Sequence, residues 1–189
     1  MTARREFWPL LLAAALLAAY LAVLSRPAEV GERYRLFFIE RAVRAWNNGQ
    51  DPLLRLGERL DFRQELPQRS LDGWSVAEPA GTWTQGRRAG LTLHLAPGEN
   101  PGRLLLDLEP FLAPQRGLDA QPLIVFLNGQ RLGEWAVQGP QTLNLALPPG
   151  SGPLLRLRFE LPRAQSPRVL GVSPDGRALA LRFRWLQIE

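Results

Sequence analysis

By the spacing of its apolar residues the chain divides into an unbroken run, a helical stretch and a long segment of period two. The run extends from Phe7 to Ser25, 19 residues without a charge between Glu6 and Arg26. At about 1.5 Å per residue, a helix of that length approaches the thickness of a bilayer's hydrocarbon core. From Ala28 to Asn47 the apolar residues Leu36, Ile39, Val43 and Trp46 recur at helical spacing. Glu29–Arg33 and Glu40–Arg44 form i,i+4 pairs on the polar side, and Asn48-Gly49 is a C-terminal stop. Asp51-Pro52 reads as the N-cap and first turn of a short second helix with Leu53, Leu56 and Leu60 on one face, weakened by Gly57. From about Leu60 onward apolar and polar residues alternate. Leu91–Leu95, Leu104–Leu108, Leu123–Leu127, Leu143–Leu147, Leu155–Leu161 and Leu179–Trp185 are short runs bounded by Pro, Gly, Asn and Asp. Such spacing predicts antiparallel strands, each with one buried and one wet face. Asn128-Gly129, between two such runs, predicts a hairpin through a type I′ turn.

The expected fold is therefore mainly β: an antiparallel, jelly-roll-like β-sandwich preceded by an N-terminal transmembrane helix and a short helical connector. The boundaries follow as 1–26 for a cytoplasmic stub and anchor, 27–59 for the connector and 60–189 for the sandwich. Arg4 and Arg5 precede the apolar run, so the N-terminus is expected in the cytoplasm and the remainder across the inner membrane. A cleaved signal peptide has a similar start, but its apolar region is usually about 7–15 residues and ends in an A-x-A-like site. The longer run here ends in Ala22-Val23-Leu24-Ser25, which favours a retained anchor carried by Phe7, Trp8, Leu16, Tyr20 and Leu24.

Composition narrows the chemistry. All 23 basic residues are arginine, and the net charge of +5 is spread along the chain without a basic block. The electrostatic footprint of a nucleic-acid binder is missing. With no cysteine, disulfides and thiolate metal sites are excluded. The one histidine, His94, alternates with Leu91, Leu93 and Leu95 and is expected on the solvent face, without a second histidine for a zinc site. No metal site and no cofactor are expected. No G-x-S-x-G, phosphate loop or H-E-x-x-H motif occurs.

Two segments carry a resemblance. The first is Leu60-Asp61-Phe62, followed by Gly73-Trp74-Ser75-Val76-Ala77-Glu78 and Gly81-Thr82-Trp83-Thr84; the second is Leu170-Gly171-Val172-Ser173-Pro174-Asp175-Gly176-Arg177-Ala178-Leu179. Together they resemble the C-terminal, non-catalytic β-sandwich of phosphoglycerol transferases that decorate periplasmic glucans, and similar sandwiches appended to membrane glycosyltransferases. Thr84 stands where serine is usual, and Ala180 where glycine is usual. The transferases act through a separate metal-dependent domain, for which this chain has no room. The resemblance implies a detached, non-enzymatic accessory module in the cell envelope. Its implied partners are the inner membrane, a membrane glycosyltransferase or transferase complex, and an oligosaccharide or polysaccharide. The alternative is a structural subunit of an envelope complex with no carbohydrate affinity.

The candidate ligand-binding residues are Trp83, Glu78, Asp175 and Arg177, which the shared resemblance places at one end of the sandwich. Trp74 and Trp185 are expected in the core, since a buried tryptophan needs only one N–H partner. Trp83 is open to either a stacking or a core role. Glu78 accepts hydrogen bonds either from sugar hydroxyls or from Arg177, and Asp175-Gly176 is first a turn signal.

Overall fold

The computed structural model describes residues 7–24, 53–66 and 71–189. The chain forms two compact units, Met1–Trp46 and Asn47–Glu189. In the first, helix α1 spans Phe7–Leu24. Its 18 residues carry no charge. Trp8, Leu12, Leu16, Leu17, Tyr20 and Leu21 are all exposed, so apolar side chains face outward around the helix. At about 1.5 Å per residue α1 is about 27 Å long, slightly less than the about 30 Å of a hydrocarbon core. Among the described residues no helix is long and apolar enough to cross a membrane; the charge-free run continues to Ser25, beyond the described part of α1. The helix expected over Ala28–Asn47 lies outside the described residues.

The second unit holds two sheets. Its strands are β1 Leu53–Leu54, β2 Arg59–Asp61, β3 Leu71–Asp72, β4 Thr82–Gln85, β5 Arg88–Leu95 and β6 Arg103–Pro110. They continue with β7 Gln121–Leu127, β8 Gln130–Val137, β9 Gln141–Ala146, β10 Leu154–Glu160 and β11 Leu179–Ile188. The first sheet runs β1-β5-β10-β7-β8, with β3 also on β5; the second runs β2-β11-β6-β9, with β4 also on β11. From β5 onward every connection crosses between sheets except the β7–β8 hairpin. At that hairpin Asn128 and Gly129 have φ of 49° and 89°. Both central residues are left-handed, as a type I′ turn requires, and the Asn128 side chain donates to the carbonyls of Ser151 and Leu154.

The alternation read from the sequence fills the space between the sheets. Leu91, Leu93, Leu123, Val125, Leu155, Leu157 and Phe159 point inward from the first sheet, and Leu104, Leu106, Leu108, Leu145, Leu181 and Phe183 from the second. Each such side chain contributes about 1.5–3 kcal/mol through its removal from water. Phe62, Trp74, Phe159 and Phe183 meet at one end of this core, with ring centroids 4.8–6.0 Å apart.

Three expectations are corrected. The short helix over 51–60 is absent where described: Leu53–Leu54 pairs parallel with β5, opposite His94 and Leu95, and Arg59–Asp61 pairs with β11. The sandwich therefore starts at Leu53, not Leu60, and contains one parallel pair. Pairing with β5 and β11 buries Leu54 and Leu60, which a solvated single-turn helix would not, while Leu53 stays exposed. Trp185 is not core. A bulge between Phe183 and Trp185 sets both Arg184 and Trp185 outward, and the inward alternation resumes at Leu186 and Ile188.

Candidate functional site

Residues 73–85 form a tight hairpin on β11. Ser75 N–H donates to the carbonyl of Trp83, Gln85 N–H to that of Gly73, and Glu78 and Gly81 exchange both backbone bonds. Gly73 and Gly81 bracket it with φ of 75° and 128°. A Cβ on Gly73 would lie 2.1 Å from the carbonyl oxygen of Arg88, and one on Gly81 2.2 Å from that of Phe183. Only glycine lets the hairpin lie this close to β5 and β11. Trp74 turns inward and donates its indole N–H to the carbonyl of Gly90 at 2.8 Å, which settles its core role. Thr84 explains its hydroxyl. Where the β4–β11 register shifts, its Oγ1 accepts from Leu181 N–H at 3.0 Å and donates to Leu181 carbonyl at 3.1 Å. A serine would provide the same two bonds.

Glu78 at the hairpin tip reaches the loop between β10 and β11. Its Oε1 accepts from Arg177 Nη1 at 2.8 Å, while Arg177 also grips Asp175, with Nη2 to Oδ2 at 2.7 Å. The Arg177 backbone N–H donates to Asp175 Oδ1 as well. The side-chain bonds from Arg177, followed by this backbone bond, hold the Asp175 carboxyl below the usual carboxylate range. The two carboxylates in turn raise the affinity of Arg177 for its proton. Three of the four candidate residues thus come together as expected, in a cluster whose charged groups hold one another.

Trp83 lies on the outer face of the second sheet. Thr82 and Thr84 point inward, so Trp83 between them points out and is half-buried. Its neighbours across the sheet are Arg182 and Glu109 in register. The Arg182 guanidinium lies 5.1 Å from the Trp83 ring centroid and bonds Glu109 Oε2 at 2.5 Å. Two positions along, Arg184 bonds Asp107 Oδ1 at 2.6 Å, and Trp185 lies under the guanidinium of Arg59, 4.1 Å from its centroid. Arg59 also donates to Gln187 Oε1. The two tryptophans are one strand and two positions apart, about 8 Å by sheet spacing. The face is thus a platform of two half-exposed indoles laid between planar guanidinium–carboxylate pairs.

The platform was only partly legible. Asp107-Leu108-Glu109 and Arg182-Phe183-Arg184 repeat complementary charges at a spacing of two, a signal that pairs β6 with β11. The outward turn of Trp185 depends on the bulge, which alternation alone does not reveal. Elsewhere, an open cleft of about 330 Å³ beside Trp74 is lined by Leu66, Leu71, Ser75 and Val76. The Trp74 ring packs on Phe62, Phe159 and Phe183 and its N–H is taken, so it offers that cleft little to hold a ligand. His94 is half-buried on the outward face of β5. No cluster of three metal-binding side chains occurs among the described residues.

No family model matches the chain, and no curated protein matches it in sequence. Among solved structures, it is similar to an acetyl xylan esterase from the rumen bacterium Butyrivibrio proteoclasticus, at 11% identity over 70% of this chain, with a TM-score of 0.47. It is also similar to the carbohydrate-binding module CBM36 solved with calcium and xylotriose, at 6% identity, 70% of this chain, 99% of that one and a TM-score of 0.40. A third is the C-terminal CBM6 of a laminarinase from Zobellia galactanivorans, at 13% identity, 69% of this chain, 97% of that one and a TM-score of 0.38. The chain spans about a third of the esterase, 32% of its length. At these scores the likenesses carry no argument about function.

Proposed function

We propose that this is a non-catalytic, membrane-held carbohydrate-recognition sandwich that assists synthesis, modification or export of an envelope glycan. The observation that carries the reading is the outer face of the second sheet. Trp83 and Trp185 offer part-exposed indoles, each with a guanidinium over one side of its ring, to the C–H faces of sugars, and Arg182, Arg184 and Glu109 offer donors and an acceptor to ring hydroxyls. A spacing of about 8 Å lets both indoles meet one extended glycan. The same pairing supports the non-catalytic role. The carboxylates of this face are each paired with a guanidinium and not with one another as an acid–base couple. The charge-free α1 supports anchoring in the inner membrane with the sandwich on the periplasmic side. A membrane glycosyltransferase or transferase complex is the partner this placement fits.

Titration calorimetry against a panel of soluble gluco-, xylo- and hexosamine-type oligosaccharides tests the site. Wild-type protein is expected to bind at least one of them, and the Trp83→Ala variant to lose that binding while keeping its melting temperature within a few degrees. Absence of binding across the panel would favour the structural-subunit alternative.

A further inference from the structure

The loop between β10 and β11 displays two exposed apolar side chains. Val169 is 79% exposed and Val172 53%, on a segment otherwise tightly tied. Leu170 N–H donates to the Ser166 carbonyl, Gly171 N–H to that of Arg168, and Val172 N–H to that of Pro167. Arg168 closes the loop, its backbone N–H on the Asp175 carbonyl and its guanidinium on the Pro174 carbonyl at 2.7 and 2.9 Å. The Glu78–Arg177–Asp175 cluster then rivets the loop to the hairpin. Two valines are thereby held exposed, three residues apart, on a hydrogen-bonded loop.

The charges around them say what kind of surface would do so. Arg116, at the end of the 3₁₀ turn Pro114–Arg116, places its guanidinium beside Gly171, next to Val172. Arg163 donates to the Gly117 carbonyl, and Arg168 flanks Val169. Among the described residues none of these three arginines pairs with a carboxylate, and Asp175 and Glu78 are already taken by Arg177. Against them stands the exposed Asp119. An apolar tip ringed by a surplus of arginine matches the boundary between acyl chains and anionic headgroups.

We propose that this loop is a second membrane contact. Val169 and Val172 enter the headgroup–acyl boundary of an anionic bilayer, and Arg116, Arg163 and Arg168 bind its phosphates. The contact would give the sandwich a membrane-facing side of its own. It deepens the anchoring part of the function proposed above, but is readable apart from it.

Because the chain has no cysteine, single-cysteine variants of the full-length protein can be labelled cleanly with a nitroxide. Labels at Val169→Cys, Gln130→Cys and Leu16→Cys report on the tip, on the β7–β8 turn at the far end of β10, and on α1. Protein is reconstituted in vesicles of phosphatidylcholine alone or with phosphatidylglycerol, and collisions with a water-soluble nickel complex are measured. The label at 169 is expected to be shielded severalfold with phosphatidylglycerol and open without it, and the label at 130 to be open in both. Arg116→Gln is expected to restore nickel access at 169, and Arg116→Lys to preserve shielding. Equal access at 169 in both vesicles, shielding at 130 as strong as at 169, or no effect of Arg116→Gln would overturn the contact. An open label at position 16 would overturn the anchor alone, leaving the readout at 169 to decide the tip.

Discussion

At the scale of single residues, Gly73 and Gly81 tie a recognisable motif to a packing need. Both hold φ values that side chains resist, and both press against the backbone of a neighbouring strand. Gly57 has a similar φ of 82° but open space around it. Gly81→Ala should therefore cost about 3 kcal/mol or more, combining clash and strain, whereas Gly57→Ala should cost about 1 kcal/mol from strain alone. Chemical denaturation of the two variants makes the comparison. The sequence motif was visible from the start; its reason was not, because a close approach between strands remote in sequence has no local signature.

Asp175 supplies a pH dependence. Its folded pKa lies below its unfolded value because Arg177 stabilises the carboxylate. Such a group contributes its stability above the unfolded pKa of about 3.9, and loses it as pH falls through the folded pKa. Protection of the amides in residues 166–177, corrected for the intrinsic pH dependence of exchange, should accordingly hold from neutral pH down to about pH 4 and fall only below it. In Asp175→Asn the exchange should be fast at neutral pH already.

At the scale of elements, strand β11 shows where alternation serves and where it misleads. Leu181 and Phe183 face inward as their spacing predicts, and the strand reaches Ile188. One extra residue at Arg184-Trp185 then changes the phase, so Trp185 lies outside. Phe183→Ala, which empties a fully buried site, should cost about 3–5 kcal/mol. Trp185→Ala should cost less than about 2 kcal/mol, mainly its half-buried contact and the cation–π interaction with Arg59. Equal losses in urea titrations would contradict the bulge. The hairpin at Asn128-Gly129 was legible because its turn type demands those residues. Strands β1 to β3, of two or three residues each, are too short for periodicity to show, and they form because β5 and β11 present open edges to them.

At the scale of the whole molecule, the chain sets a charge-free helix ahead of a sandwich with an aromatic platform on one sheet and an arginine-ringed apolar tip on one loop. The apolar helix α1 is a matter of composition and was legible as such. The platform required the sheet to be assembled, since it draws on β2, β4, β6 and β11 together. If α1 anchors the chain, a reporter fused after Glu189 should be active only outside the cytoplasm, and cytoplasmic activity would reverse that topology.

The central claim is that the outer face of the second sheet binds a glycan. Its most direct test is calorimetric titration of the full-length protein and its Trp83→Ala/Trp185→Ala variant with the same oligosaccharide panel, alongside a thermal melt of each. The account predicts that the wild-type protein binds, and that the double variant loses at least tenfold in affinity, or about 1.4 kcal/mol, while still unfolding cooperatively. Undiminished binding by a folded double variant would contradict it.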